Sequence, residues 1–469
     1  MDILSMNPGF PSNSRPIVPA AAACLRLGQT FTNNATFTPE HDTYQALVQV
    51  SWSETTWQAP ACVFLPHAVY ELQGAVSILV EEDASFGVRS GRHSPVPAAA
   101  AVHGDVLIDL SRFAQIEYNA EHAKVVVGAG LRWRDVYGYL DPLQGGLSYL
   151  SQRYGLSCDN VINYNVVLAD GSTVNANEYS HRDLFWALKG GSNHFVTSFT
   201  LKTYPLRPQI WGGTRVIAWA CLDDVLDAML EYETSDSPDE LASVHTDIGA
   251  TNETTTLTLV YLEPVEDQKT PSALSIFDRF EESTILDTTG IKALTELMSE
   301  LPPSPPIPRT RSHALTVTPT KSLLTALKAA LLASPHLETI QSAPAGTCTL
   351  TWQPISPSLV EAGKQRAPGN ALGLEPVPQS WLRLDLRWQD AANDKTIQAA
   401  GDALYAELEA AAREEGSHLR YLFVNDANGG QDVIASYGED NVRRMREVRE
   451  HYDPHSVFDR LLAGAFKFP

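Results

Sequence analysis

Between Cys62 and Tyr204, short apolar runs alternate with stretches whose apolar positions recur at helical spacing. Residues 61–65 and 86–89 read as strands. Residues 69–82 between them read as a helix, because their apolar positions return every third or fourth residue. Residues 106–110, 124–127 and 165–168 are further short β-branched or apolar runs. Strands alternating with helices predict an α/β unit. After Pro205 the period changes. Residues 254–262, 314–318, 347–352 and 381–388 alternate apolar and polar side chains, as strands do when one face is buried. Helices are predicted over 222–232, 323–332 and 396–415, the last rich in alanine and other good helix formers. This half therefore predicts an antiparallel sheet backed by helices. From Tyr421 the pattern shifts again, with a helix predicted over 441–450. A proline cluster over 302–308 predicts a loop, and no internal repeat is visible.

Size and composition sharpen this picture. A chain of 469 residues exceeds what one hydrophobic core usually serves, so more than one domain is predicted. Hydrophobic residues make up 43% and charged residues 19%, the balance of a folded globular chain rather than a disordered one. The net charge of −22 argues against nucleic acids and anionic membranes as partners, since both repel an acidic surface. No apolar run is long enough to span a bilayer. The amino terminus has neither a basic start nor a continuous apolar stretch, so the sequence as written predicts no secretory signal and a cytoplasmic location. The cysteines at 24, 62, 158, 221 and 348 lack Cys-x-x-Cys spacing, which argues against a zinc site or a disulfide framework. Cys24 with Cys62 is the one pair to test for a bridge.

Four segments carry candidate chemistry. In Val88-Arg89-Ser90-Gly91-Arg92-His93-Ser94 a strand ends in a turn holding a glycine, two arginines and a histidine. Glycine permits close approach of the backbone, and successive N–H groups in such turns form anion-binding nests suited to a pyrophosphate. His93 is open to three readings: a covalent tether to an electrophilic ring methyl, a general base, or a hydrogen-bonded loop residue. Residues 125–133 run a strand into Gly128-Ala129-Gly130, a weak phosphate-cradling signature by itself. The third segment, residues 145–161, opens on Gly145-Gly146 and closes on Asp159-Asn160-Val161. The fourth, residues 183–193, ends in Gly190-Gly191-Ser192-Asn193. Each alone is an ordinary turn or packing element.

In their order and spacing, these segments resemble the FAD-binding domain of the vanillyl-alcohol-oxidase superfamily, in its berberine-bridge-enzyme-like branch. Ser436-Tyr437-Gly438, Tyr452-Asp453-Pro454 and Gly464-Ala465-Phe466-Lys467 are similar to that branch's closing segment. The resemblance implies an α+β fold: a two-subdomain α/β FAD-binding domain (58–205), preceded by an N-terminal segment (1–57). An antiparallel-sheet-and-helix substrate domain (206–418) follows, and a C-terminal segment (419–469) returns to the FAD domain. It implies an FAD-dependent oxidase or dehydrogenase, a monomer whose partners are a small secondary metabolite and O₂. FAD contacts are implied for Arg89, Ser90, Gly91, Arg92, His93, Ser94, Gly128, Gly130, Gly145, Gly146, Asp159, Asn160, Asn193, Val196 and Asn425, with His93 as the covalent anchor. Relatives place a tyrosine base after an asparagine near the carboxyl end. Here Asn425 is followed by Asp426, either a base whose pKa burial has raised or a loop aspartate facing solvent.

Three departures bear on the cofactor. The family's second glycine in the first loop is Arg92 here, where an arginine could pair with a phosphate. The family's glycine-rich stretch before Gly145 is missing, and with it any second cysteine tether. The Gly-Ile pair expected within Asn193-His194-Phe195-Val196-Thr197 is absent. These losses keep an alternative open: a flavin-free relative that uses the same pocket for a cyclisation or other non-redox rearrangement, or an inactive relative.

Overall fold

The computed structural model describes residues 18–469 except 95, 98–101, 141–142, 145–148, 192–194, 236, 267–268, 301–308 and 465. The predicted proline loop lies outside the described residues.

The first apolar runs become β1 (Thr36–Phe37), β2 (Cys62–Phe64), β3 (Phe86–Arg89) and β4 (Val106–Asp109), in the spatial order β1-β2-β4-β3. Strands β2, β4 and β3 are parallel, so each link must cross over, and the helix Val69–Glu81 makes the β2–β3 crossing. Every residue of β2 and β4 is buried, as strands covered on both faces require. A helix the sequence reading missed, Val18–Thr30, covers this sheet with Ala20, Ala23, Cys24 and Leu27. Its Cys24 is disulfide-bonded to Cys62 on β2, while Cys158, Cys221 and Cys348 are free.

The next strands are β5 (Ile116–Asn119), β6 (Lys124–Gly128), β8 (Val161–Val167), β9 (Thr173–Asn177) and β10 (Phe195–Lys202). They form a five-stranded sheet in the order β5-β6-β10-β8-β9, antiparallel throughout. Helices also separate strands of this second sheet (Trp133–Leu140 after β6, Arg182–Leu188 between β9 and β10), so the alternation read from sequence holds, but here it feeds antiparallel rather than parallel pairs. Strand β7 (Leu143–Gln144) pairs separately with β11 (Tyr204–Pro205).

The rest of the chain builds one large antiparallel sheet. Its strands are β12 (Ile210–Ala218), β13 (Ala242–Gly249), β14 (Thr254–Tyr261), β15 (Thr284–Asp287), β16 (Gly290–Lys292), β17 (Arg309–Val317), β18 (Thr347–Ile355), β19 (Gln379–Trp388) and β20 (His418–Leu419). The order is β15-β12-β14-β13-β18-β19-β17-β20, with β16 also on β12. Alternation gives this sheet two unlike faces. Leu350 and Trp352 of β18 and Leu382, Leu384, Leu386 and Trp388 of β19 pack into one core with the helices Leu222–Glu233, Lys321–Ala333 and Asp394–Glu414. On the other face Ala314, Ile355 and Trp381 share a core with Val125, Tyr164 and Phe185 of the amino-terminal half. The second sheet therefore lies against the face of the large sheet that the helices leave free.

The carboxyl end closes the molecule. After the helix Glu439–Tyr452, Val457, Phe458 and Leu461 enter the first sheet's core, Leu462 bridges Phe86, and the Ala463 N–H donates to the Phe86 carbonyl at 2.7 Å. Among the described residues no helix is long and apolar enough to cross a membrane.

Candidate functional site

The first loop begins where β3 and β4 end side by side. Their register sets Arg89 beside Asp109. Both side chains are almost wholly buried. The Arg89 guanidinium donates to Asp109 at 2.6 and 2.9 Å and to the Leu47 carbonyl at 2.8 Å. Arg92 adds a longer contact to the same carboxylate, 3.2 Å. Burial alone would raise the Asp109 carboxyl, but Arg89 and Arg92 outweigh it and hold it below the usual range. Arg92 has φ +62°, the left-handed region that glycine enters without penalty. That accounts for the glycine expected at this position: the turn needs a left-handed residue, and Arg92 supplies one at a backbone cost of about 1–2 kcal/mol. Arg89 NH1 and Arg92 Nε are buried and have no partner among the described residues. At Gly91 an added Cβ would meet nothing nearer than the Leu131 carbonyl at 3.8 Å, so protein packing does not demand a glycine there.

His93 follows at the surface of the cleft. Its carbonyl accepts from Trp52 Nε1 at 2.6 Å, and its ring stacks on the Trp52 indole at a centroid distance of 5.5 Å. Although part of the ring is open, desolvation by its neighbours lowers the imidazole pKa, and the charges of Arg132 and Arg383 lower it further. Ser90 is exposed, and Ser94 Oγ accepts from the Val96 N–H at 3.3 Å. Arg132 Nε donates to the Gly91 carbonyl at 3.1 Å, pinning this loop to the turn after β6.

The other sequence-flagged positions divide. A Cβ on Gly128 would lie 2.1 Å from the Phe113 carbonyl, and one on Gly130 would lie 2.3 Å from the Leu110 carbonyl. Backbone packing alone thus explains both glycines. Asp159 accepts from the Leu156 N–H at 2.9 Å and from Asn370 at 2.7 Å. Asn160 donates to the Tyr154 and Leu156 carbonyls and accepts from Tyr204 at 2.7 Å. These two side chains brace the chain around them. Val196 lies half-buried on β10 against Val166. Gly145, Gly146 and Asn193 lie outside the described residues.

Across the cleft stands the helix-free face of the large sheet. Its register sets Asp247 beside Thr351 and Thr351 beside Arg383, one row across β13, β18 and β19. Thr351 Oγ1 donates to Asp247 at 2.6 Å. One residue pair further along β19, Asp385 accepts from Arg387 at 2.8 Å. Asp426 comes to this wall from the turn after Phe423, whose ring stacks on Trp381 at 4.5 Å. It is buried, not solvent-facing, and accepts from Gln353 Nε2 at 2.7 Å. Burial raises its carboxyl above the usual range, against the pull of Arg383 and Gln353. Asn425 beside it is exposed. Arg383 NH1 lies 3.8 Å from Asp426 and NH2 lies 3.6 Å from Asp385, both beyond hydrogen-bond length. Its Nε is buried with no partner among the described residues.

His93 and Asp426, flagged separately in the sequence, are linked through Arg383, whose charge acts on the titration of both. Sequence reasoning missed Arg383, Asp247, Gln353, Arg132 and Trp52. For Arg383 a signal existed: Arg383, Asp385 and Arg387 are the polar phase of an otherwise apolar strand.

A family profile described as an FAD binding domain matches residues 60–144. The chain is 30% identical over 466 residues to the bifunctional solanapyrone synthase of Alternaria solani, covering 95% of this chain and 88% of that protein. It is 31% identical over 476 residues to an FAD-dependent monooxygenase of Arthrobotrys oligospora, covering 94% and 89%. Among solved structures, the berberine-bridge-enzyme-like protein 1 of Physcomitrella patens superposes with a TM-score of 0.76 at 18% identity, covering 93% of this chain and 97% of that one. The xylooligosaccharide oxidase of Myceliophthora thermophila, in complex with xylobiose, gives 0.75 at 18% identity, covering 94% and 98%. The fold is shared with the berberine-bridge-enzyme-like proteins, and by its relatives this chain belongs to the family of FAD-linked oxidoreductases that includes the bifunctional solanapyrone synthase and the FAD-dependent monooxygenases.

Proposed function

We propose that this protein is an oxidase acting on a small secondary metabolite, with FAD held by the loop 89–94 and Asp426 as the catalytic base. The reading rests on one observation above all: the His93 loop and the buried Asp426 both lie within electrostatic range of one arginine, Arg383. The residues present suit the cofactor. Gly91 leaves room for close approach of a ligand, and the Arg89–Asp109 pair fixes the turn that carries it. Gly128, Gly130 and Val196 belong to the adjoining turn and strand, and Arg132 ties that turn to the loop.

FAD held there would supply a two-electron acceptor for the substrate C–H, with O₂ as the final oxidant. The remaining work falls to the chain. The lowered pKa of His93 keeps a ring nitrogen lone pair available for attachment to the flavin. Asp426 takes the substrate proton, and burial moves its basicity toward the neutral range where a general base works best. Gln353 fixes the carboxylate through its amide N–H. For an alcohol the overall conversion is R₂CHOH + O₂ → R₂C=O + H₂O₂.

The test is oxygen uptake by the purified protein across a panel of alcohols and amines, with H₂O₂ measured alongside. One H₂O₂ per substrate oxidised supports the reading. Turnover that persists without O₂ and after removal of flavin contradicts it, and assigns the cleft to a non-redox rearrangement.

A further inference from the structure

Arg383 is the unfinished element of the cleft. Every other charged group on that wall has a close partner: Asp247 with Thr351, Asp385 with Arg387, and Asp426 with Gln353. Arg383 instead stands among these carboxylates with ion-pair contacts of 3.6 and 3.8 Å and a buried, unpartnered Nε. A guanidinium has five N–H donors in a rigid fork, so leaving one buried and unmade is costly unless a ligand completes it. Among the described residues, the carboxylates nearest it accept shorter bonds from Arg387 and Gln353, and the 3.8 Å gap to Asp426 leaves a donor and an acceptor side by side.

We propose that Arg383 is the substrate-selecting residue, taking a carbonyl oxygen next to the carbinol whose hydroxyl proton Asp426 accepts. The preferred substrates are then neutral alcohols bearing a carbonyl beside the reacting carbon. The charges on the wall point the same way. Arg383 and Arg387 face Asp247, Asp385 and Asp426, a near-balanced set that repels a free carboxylate and gives a free amine no unpaired anion. A carbonyl oxygen meets the open fork without adding charge. The substrate class rests on the cleft reading above, but Arg383 engages the substrate with its own side chain and not through the cofactor.

The experiment is calorimetric titration of the full-chain protein with three probes of like size: 2-hydroxyacetophenone, 2-phenylethanol and mandelate. The wild-type protein should bind 2-hydroxyacetophenone about tenfold more tightly than 2-phenylethanol, the gain expected of one neutral hydrogen bond to a charged donor, with mandelate weakest. Arg383→Met should erase that preference. Arg383→Lys, which keeps the charge but not the fork, should reduce it to two- or threefold and serves if Arg383→Met folds poorly. Equal binding of the two neutral probes, tightest binding of mandelate, no binding of any probe, or an undiminished preference in Arg383→Lys would each overturn the proposal. A colourless protein that still shows the Arg383-dependent preference supports this inference while removing the oxidase reading. A yellow protein with no preference does the reverse.

Discussion

The two rims of the cleft use the same materials to opposite ends. On the loop rim, Arg89 and Asp109 are closed on each other at 2.6 Å, both nearly inaccessible, and Arg92 leans on the same carboxylate. On the sheet rim, Arg383 stands 3.6 and 3.8 Å from its carboxylates and forms no close bond with either. Composition does not separate the two, since each is an arginine among aspartates. Closure does. The closed cluster fixes a turn that the backbone would otherwise resist, whereas the open one leaves Arg383 Nε without a partner among the described residues.

That contrast can be broken in three places. The largest effect is expected on the sheet rim, where Asp426→Asn removes the base. It should lower kcat by about 10²–10⁴-fold with little change in melting temperature. The pH profile sharpens this claim. Because burial raises the Asp426 carboxyl, wild-type kcat should fall as pH drops through a pKa above the ordinary carboxylate range, and Asp426→Asn should lose that limb. On the loop rim Asp109→Asn strands the buried Arg89 charge and should cost about 3–5 kcal/mol of stability, measured by denaturant unfolding. If both variants lost only stability, the distinction between closed and open clusters would collapse.

Smaller effects probe the turn itself. Arg92→Gly relieves a left-handed backbone and gives up a weak, 3.2 Å contact, so the variant should be within about 1 kcal/mol of wild type and retain FAD. Loss of FAD on that change would instead make the guanidinium a phosphate ligand.

Much of this architecture is legible in the sequence, and the failures have physical causes. Strands β14 and β19 announce themselves because a sheet with one face against helices enforces apolar–polar alternation. Strand β13 does not, since Thr246 on the helix side and His245 and Asp247 on the cleft side leave few apolar markers. The helix Val18–Thr30 carried a readable stripe, Ala20, Ala23, Cys24 and Leu27, but small alanines give a faint signal. At the site, Asp426 and the His93 loop could be flagged one by one from motif order. Arg383 could not be assigned to the cleft, because a strand's two faces become distinguishable only once its neighbours fix the register. Likewise Asp159 and Asn160 sit in a recognisable motif, yet only coordinates reveal that their side chains bind protein.

The most direct measurement of the central claim is the visible absorption of the purified protein before and after acid precipitation, for wild type and His93→Ala. The account predicts a yellow protein whose flavin colour stays with the wild-type polypeptide and leaves it in His93→Ala. A colourless wild-type protein that takes up no added FAD would contradict it.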